Sequence, residues 1–371
     1  MTPPKVLHVI APALFGGLEQ VVLQLASGRA GRGLPTAVLA LVSEGSRSPP
    51  LVEMLLHAGV QTTELRSAHR AYRREQRAIR AATAGFGADV VHTHGYRPDV
   101  LAAGPARKAG SALVSTAHGF TGGDLKNRVF EWLERRAWRG FDVVVAVSGP
   151  LRDRLVRSGV PDAVVELCPN AWSGTEPLDR ASARERLRLP PSGRLIGWVG
   201  RLSGEKGPDV LVRALARLPA DIGAVMIGDG PERDALLRLA AELDVSARIT
   251  WSGPVQRAGQ CMAAFDAFAL SSRTEGTPMV LFEAMAARVP IVATAVGGVP
   301  DIVSPAEAIL VRSDAPEELA TGLGQVFSAA GAAAARAAAA RRRLDERYAL
   351  ALWLDRYEEF YARAARVKRA N

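Results

Sequence analysis

Short apolar runs recur along the whole chain, each followed by a longer segment with helical spacing or by a turn. In the first half they are "KVLHVIA", "TAVLALV", "DVVHTHG", "ALVSTAHG" and "DVVVAVS". In the second half they are "LIGWVGR", "GAVMIGD", "ARITWSG", "DAFALSS", "PIVATAV" and "AILV". Runs of this length read as buried strands, and the segments between them, such as "EQVVLQLASGRAGRG" and "NRVFEWLERRAWRG", read as helices. The alternation predicts an α/β fold built on parallel, doubly wound sheets.

At 371 residues the chain is too long for one ordinary α/β core and suits two. The stretch "CPNAWSGTEPLDRASARERLRLPPSGR", rich in Pro, Gly, Ser and charge, reads as the linker. The expected domains are residues 1–171 and 172–345, followed by a C-terminal helical segment, 346–371. That last segment, with "ALALWLDRYEEFYARAARVKRAN", is basic and amphipathic and follows an alanine-rich helical stretch. Trp353, Tyr357 and Phe360 are its expected anchors.

Composition excludes several classes. No segment reaches the roughly 18 uninterrupted apolar residues of a membrane span, and "KVLHVIAPALF" reads as a buried strand rather than a signal peptide. Cys168 and Cys261 match no metal or redox spacing and are expected as small buried residues in a cytoplasmic protein. The net charge of +9 is carried almost wholly by arginine. Its densest helical stretch, "HRAYRREQRAIRAA", places Arg70, Arg73, Arg74, Arg77 and Arg80 together. This is either a solvated face or a peripheral dock on the inner, anionic face of the cell membrane; without interleaved aromatics, nucleic acid is not expected as a partner.

The chemistry-bearing motifs lie where strands end. "RTEGTPMVLFEAMA" follows a strand and puts Glu275 before a helix and Glu283 inside it, with Thr277 expected as the N-cap and Pro278 as the first helical residue. The free N–H groups of Met279, Val280 and Leu281, together with the helix dipole, then suit an anion. "GWVGRLSGEKGPDVLVRAL" is a strand entering a glycine-rich loop with two cations, Arg201 and Lys206, that can neutralise a diphosphate. It is not a Walker loop, and "IGDGPER" lacks the third glycine of a dinucleotide fingerprint. In the first half, Gly16 and Gly17 lie between the first strand and first helix, and His118 ends another strand. His92 and His94 of "HTHG" are read as pointing to opposite faces of their strand, so that no metal site is expected there.

Taken in order, "GGLE", "HTH", "AHG", "VSGPLRDRL", "VGRLSGEKG", "IGDGPER" and "EGTPMVLFEAMA" strongly resemble the retaining, nucleotide-sugar-dependent glycosyltransferases of family 4. The resemblance covers essentially the whole chain. It implies the GT-B architecture: two Rossmann-like domains facing across a cleft, the N-terminal one on the acceptor side and the C-terminal one on the donor side, with the final helix crossing back. It implies that Glu275 holds hydroxyls of the donor sugar and Glu283 the nucleotide ribose, while Arg201 and Lys206 grip the diphosphate with the amides of Met279 and Val280. Gly276, Thr277 and Pro278 form the loop between the two acids. Gly16 and Gly17 would lie under the diphosphate, His118 near the donor sugar, and Val255 of "WSGPV" by the nucleobase. One departure is the hinge: relatives read Pro-Asn-Gly where this chain has Asn170 and Ala171.

The implied reaction moves a hexose-type sugar from a nucleoside-diphosphate donor, a UDP-sugar first and a GDP-sugar second, to a hydroxyl acceptor that can be lipid-linked. Retention, no metal and no cofactor are the family behaviour, in line with the missing Asp-x-Asp motif. Cell-envelope polysaccharide, glycolipid or natural-product glycoside synthesis is the expected setting. The rival readings are a glycosidase, a nucleotide-sugar 2-epimerase and a non-catalytic sugar-nucleotide-binding module. Eight helical residues would separate the two acids by about 12 Å, against the about 5–5.5 Å of a retaining hydrolase.

Overall fold

The computed structural model describes residues 2–13, 17–68, 71–118, 125–172, 174 and 176–370, the side chains of 125–131 and 368–370 excepted. The chain divides into two compact units. Unit 1 comprises Met1–Asn170 with Leu350–Asn371, and unit 2 comprises Ala171–Ala349.

Among the described residues, unit 1 is built on seven strands: β1 (Val6–Ile10), β2 (Thr36–Ser43), β3 (Gln61–Ser67), β4 (Val90–His94), β5 (Ala112–Ala117), β6 (Val143–Ala146) and β7 (Val165–Leu167). They form one sheet in the order β3-β2-β1-β4-β5-β6-β7, with every pairing parallel. The order reverses at β1, where the chain crosses from one half of the sheet to the other. In a doubly wound sheet that switch point opens a crevice at the carboxyl ends of the strands. Both faces are covered, which is why β1, β4, β5 and β6 are buried at every position. The final helix, Leu350–Ala370, closes one face of this sheet with Trp353, Tyr357 and Phe360 buried; Tyr357 bonds Thr116 of β5.

Unit 2 repeats the plan with β8 (Arg194–Val199), β9 (Ile222–Ile227), β10 (Ile249–Gly253), β11 (Ala267–Leu270), β12 (Ile291–Thr294) and β13 (Ile309–Val311). Their order is β10-β9-β8-β11-β12-β13, again all parallel. Here the switch point lies between β8 and β11, and the loops after those two strands carry "GRLSGEKG" and "SSRTEGTP".

Two expectations need correction. The charged stretch after Asn170 is no linker: it folds as the helix Arg180–Arg186, part of unit 2. Asp179 caps it by accepting from the N–H groups of Ala181 and Ser182. Arg184 is buried and donates to the carbonyls of Ala264, Pro190 and Gly193. Hydrogen bonds to backbone make its burial tolerable, and composition alone hides this. The helix expected to begin at Pro278 instead spans Met279–Ala286: Pro278 is extended at ψ 105° and serves as the cap, its carbonyl accepting from Leu281 N–H at 3.0 Å. Met279 and Val280 remain as the leading amides, and Leu281 is not among the free ones.

Candidate functional site

After β8 the chain forms a loop and a single tight turn, Gly204–Lys206, before the helix Pro208–Leu215. Gly207 joins turn to helix with φ 58°, and a Cβ there would come within 2.2 Å of the Ser271 carbonyl. Only glycine lets the β8 and β11 loops approach this closely. Arg273 then ties them together. Its guanidinium donates to the Gly204 carbonyl at 2.6 Å, to both carboxylate oxygens of Asp209 at 2.9 and 2.8 Å, and to Asp314 at 2.6 Å. These acids raise its already high pKa further, so Arg273 is a permanent cross-link between the loops.

The cross-link sets Lys206 against Glu275. The ammonium donates to both carboxylate oxygens, at 2.8 and 2.9 Å, and Ser272 Oγ donates to Oε1 at 2.6 Å. Glu275 is buried, whereas the Lys206 side chain keeps 32% of its surface in solvent. The carboxylate is therefore fixed from below and its partner can turn outward. The Glu275 backbone is wedged as well: Gly297, at φ 52°, approaches so closely that a Cβ would meet the Glu275 carbonyl oxygen at 1.7 Å. Arg201 stands in the Lys206 loop, 70% exposed and 3.7 Å from Glu205, a long-reaching cation with little holding it back.

Glu283 lies on the helix Met279–Ala286, among Leu281, Phe282, Ala284 and Met285 of the core. Its carboxyl packs on Gly259, where an added Cβ would come within 2.2 Å of the carboxyl carbon. The residue is half-buried, and burial pushes its pKa up to about 7. No protein donor reaches it among the described residues. A carboxyl left unsatisfied at a site edge invites a ligand with hydroxyls to donate. Val255, beyond β10, packs half-buried on the same core.

Unit 2 thus brings together Arg201 and Lys206 of the β8 loop with Glu275, Gly276, Thr277 and Pro278 of the β11 loop, with the amides of Met279 and Val280 leading the helix. Arg273, Ser272, Gly259 and Gly297 were not singled out from the sequence. Arg273 has no local signal, because the carbonyl and the two acids that hold it are remote in the chain; Ser272 lies three residues before the Glu275 to which it donates. Gly297, in "AVGGVP" after a strand, could have been found as a loop glycine at a strand's end.

The remaining expected residues belong to unit 1. Gly17 opens the helix Gly17–Gly31; Gly16 lies outside the described residues, as does Arg70. His118 follows β5, its Nε2 without a partner, and burial lowers its pKa to about 4, so its ring is neutral. His92 and His94 are not on opposite faces: residues two apart on a strand share a face, and the two rings lie side by side, tilted by 39° with 4.1 Å between centroids. His8 from β1 joins them, its Nδ1 at 3.0 Å from His94 Nε2. One ligand atom from each of the three lies within 4.8 Å of the others, a metal-like spacing among the described residues. Their bonding speaks for neutral structural rings: His92 Nδ1 pairs with Tyr361 Oη at 2.8 Å and Nε2 with Thr116 Oγ1 at 2.9 Å. Burial, and the charge of Arg29 beside His8 and His92, hold these histidines well below the usual pKa.

Comparison with known proteins yields two family profiles. One, described as Glycosyltransferase Family 4, matches residues 15–172; the other, described as Glycosyl transferases group 1, matches residues 179–343. A D-inositol 3-phosphate glycosyltransferase of Mycolicibacterium gilvum (strain PYR-GCK) is 41% identical over 162 residues, 41% of this chain and 36% of that one. Another of that name, from Rhodococcus jostii (strain RHA1), is 31% identical over 268 residues, 66% of this chain and 59% of the other. The chain therefore spans about a third to three fifths of the length of these curated relatives. Among solved structures, Anabaena HepE in complex with UDP matches with a TM-score of 0.84 at 20% identity, over 96% of this chain and 98% of that one. Its complex with UDP-glucose matches at 0.82 and 21% identity, with the same coverage.

Proposed function

The chain belongs to the group 1, family 4 glycosyltransferases of GT-B fold, and on that premise we propose that it transfers a hexose-type sugar from a nucleoside-diphosphate donor to a hydroxyl acceptor, with retention of anomeric configuration. The observation that carries this reading is the Lys206–Glu275 pair beside the leading amides of the helix Met279–Ala286, with the unsatisfied Glu283 on that helix. Arg201, Lys206 and those amides take the diphosphate, whose departing charge they stabilise. Glu275, released from Lys206, accepts from sugar hydroxyls, and Glu283 accepts from the ribose. Front-face attack by the acceptor oxygen breaks the bond between the anomeric carbon and the diphosphate; the acceptor proton passes to the departing phosphate oxygen. Cationic side chains supply the charge stabilisation a metal would otherwise give, so no metal or cofactor is required. The UDP and UDP-glucose complexes of HepE support a UDP-sugar as donor. The roles of Gly17 and His118 follow from the family resemblance and are tested by substitution. Cell-envelope or glycoside synthesis at the cytoplasmic membrane face is the setting this reading favours.

A screen of UDP-, GDP- and ADP-sugars by thermal shift and donor hydrolysis tests the proposal. A UDP-sugar is expected to stabilise the protein and turn over, with NMR of a transfer product showing a retained anomeric centre. Absence of any shift or turnover with all three classes defeats it. Among the described residues no helix is long and apolar enough to cross a membrane. Arg73, Arg74, Arg77 and Arg80 of the helix Tyr72–Phe86 form the proposed peripheral dock. Sedimentation with anionic vesicles at low salt, abolished in a fourfold Arg→Gln variant, is the expected result; no sedimentation of the wild type removes the dock.

A further inference from the structure

Arg201 and Lys206 ride on one span of backbone, bounded by Gly200 just past β8 and by Gly207 where the next helix begins. Two cations on one span reach one diphosphate together when both ends of the span are fixed. Backbone bonds secure the first end: Gly200 N–H donates to the Ile227 carbonyl and Leu202 N–H to the Asp229 carbonyl, each at 3.0 Å. A single side chain, Trp198, reaches both ends.

Trp198 lies in β8, buried in the core with Ile196, Leu202 and Leu211. Toward Gly200 it presents the edge of its six-membered ring, and a Cβ added to that glycine would meet Cη2 at 3.1 Å. Toward Gly207 it presents its N–H. Nε1 donates to Ser271 Oγ in the β11 loop at 3.0 Å, and Ser271 Oγ donates in turn to the Gly207 carbonyl at 2.7 Å, with the Lys206 carbonyl 3.4 Å away. An indole N–H only donates and a carbonyl only accepts, so the direction of this chain is fixed. Ser271 and Gly207 are buried as well, and bulk water does not replace a lost link. Filling the core asks only for an apolar side chain. The N–H adds a connection aimed at the end of the span that carries Lys206.

We propose that Trp198 is a positioning residue for the donor diphosphate, fixing the span of Arg201 and Lys206 through Gly200 at one end and through Ser271 and Gly207 at the other. The inference rests on the glycosyltransferase reading, which assigns the diphosphate to those two cations. Trp198 acts on the ligand only through the span. Its loss therefore shows in recognition of the phosphates and not in recognition of the nucleoside, which that reading gives to Glu283 and Val255.

Isothermal titration of the full chain with UDP and with uridine tests this in the wild type, Ser271→Ala, Trp198→Phe and the double variant. Ser271→Ala removes one oxygen, the bridge between the indole N–H and the Gly207 carbonyl. It is the deciding variant, because Trp198→Phe also opens space in the core. Each single variant is expected to weaken UDP by about tenfold and to leave uridine within about twofold of the wild type. The double variant is expected to bind UDP as weakly as Trp198→Phe alone, since both residues act in one chain; independent contributions would multiply to about a hundredfold. Scanning calorimetry alongside separates a packing role: a lowered melting transition with unchanged UDP affinity overturns the proposal. So do UDP and uridine weakened alike, or a loss in the double variant equal to the product of the single ones. A wild type that binds UDP no better than uridine overturns the diphosphate reading and this inference with it, whereas tight UDP binding that Ser271→Ala leaves unchanged overturns this inference alone.

Discussion

Lys206 and Glu275 are unequal partners, and the inequality can be measured. Glu275 keeps 5% of its side-chain surface in solvent and Lys206 keeps 32%. Removing the cation strands a buried carboxylate with Ser272 as its remaining donor; removing the carboxylate strands an ammonium that can turn to water. Breaking a fully buried pair costs about 3–5 kcal/mol, and screening at the exposed lysine end reduces this to about 2 kcal/mol for Lys206→Met. Glu275→Gln, which still accepts from Ser272, should cost about 1 kcal/mol or less. At about 2–4 °C per kcal/mol for a unit of this size, Lys206→Met should lower the melting transition of unit 2 by about 4–8 °C. The double variant should melt higher than Lys206→Met alone, since the stranded charge is gone. Differential scanning calorimetry of the four proteins closes the cycle, and UDP-sugar turnover runs alongside it. Activity should fall by about 100-fold or more in both single variants and stay low in the double, because diphosphate and sugar each lose a partner. A Glu275→Gln variant that melts lower than Lys206→Met, or additive losses in the double, would refute the asymmetric pair.

Glu283 has its pKa raised to about 7 by burial, so its charged form, the one that accepts from ribose hydroxyls, grows as pH rises through that value. UDP affinity measured by calorimetry should rise by about tenfold between pH 6 and pH 8 in the wild type, and Glu283→Gln should flatten the profile; an unchanged profile in the variant contradicts the assignment. The buried His8 has its pKa lowered to about 3, so the unfolded chain binds the proton first as pH falls. Its contribution is full above about 6.5 and is lost at about 1.4 kcal/mol per pH unit down toward pH 3, so urea midpoints should fall steadily between pH 7 and pH 5. Constant midpoints across that range would mean that His8 is not buried neutral. Gly297→Ala should cost about 1–3 kcal/mol and most of the turnover, because the new methyl would occupy the place of the Glu275 carbonyl; a fully active variant would show that this wedge does not shape the site.

Every strand buried along its whole length was legible as an apolar run, from "KVLHVIA" to "PIVATAV". The two strands missed, β3 and β7, are the edges of the unit 1 sheet. β3 reads "QTTELRS", half in solvent, and β7 is three residues long, so neither shows a continuous apolar signal. The helix Arg180–Arg186 was hidden for a related reason: its buried residue is an arginine, and nothing local announces the three carbonyls that receive it. The pairing of His92 and His94 was misread although strand periodicity alone puts them on one face; their third member, His8, is 84 positions before His92 and is joined to them only by the β1–β4 register.

Local rules acting on the chain in order determined the βαβ rhythm, the loop glycines at strand ends, and the presence of two acids and two cations beside a helix start. These depend on neighbours within a turn or a strand's length. Which cation meets which acid was decided by the sheet order, because β8 and β11 lie side by side although some 70 residues separate Lys206 from Glu275. The same long-range packing buries His8 and the Glu283 carboxyl, and it is that burial, absent from any stretch of sequence, that lowers the pKa of the one and raises that of the other.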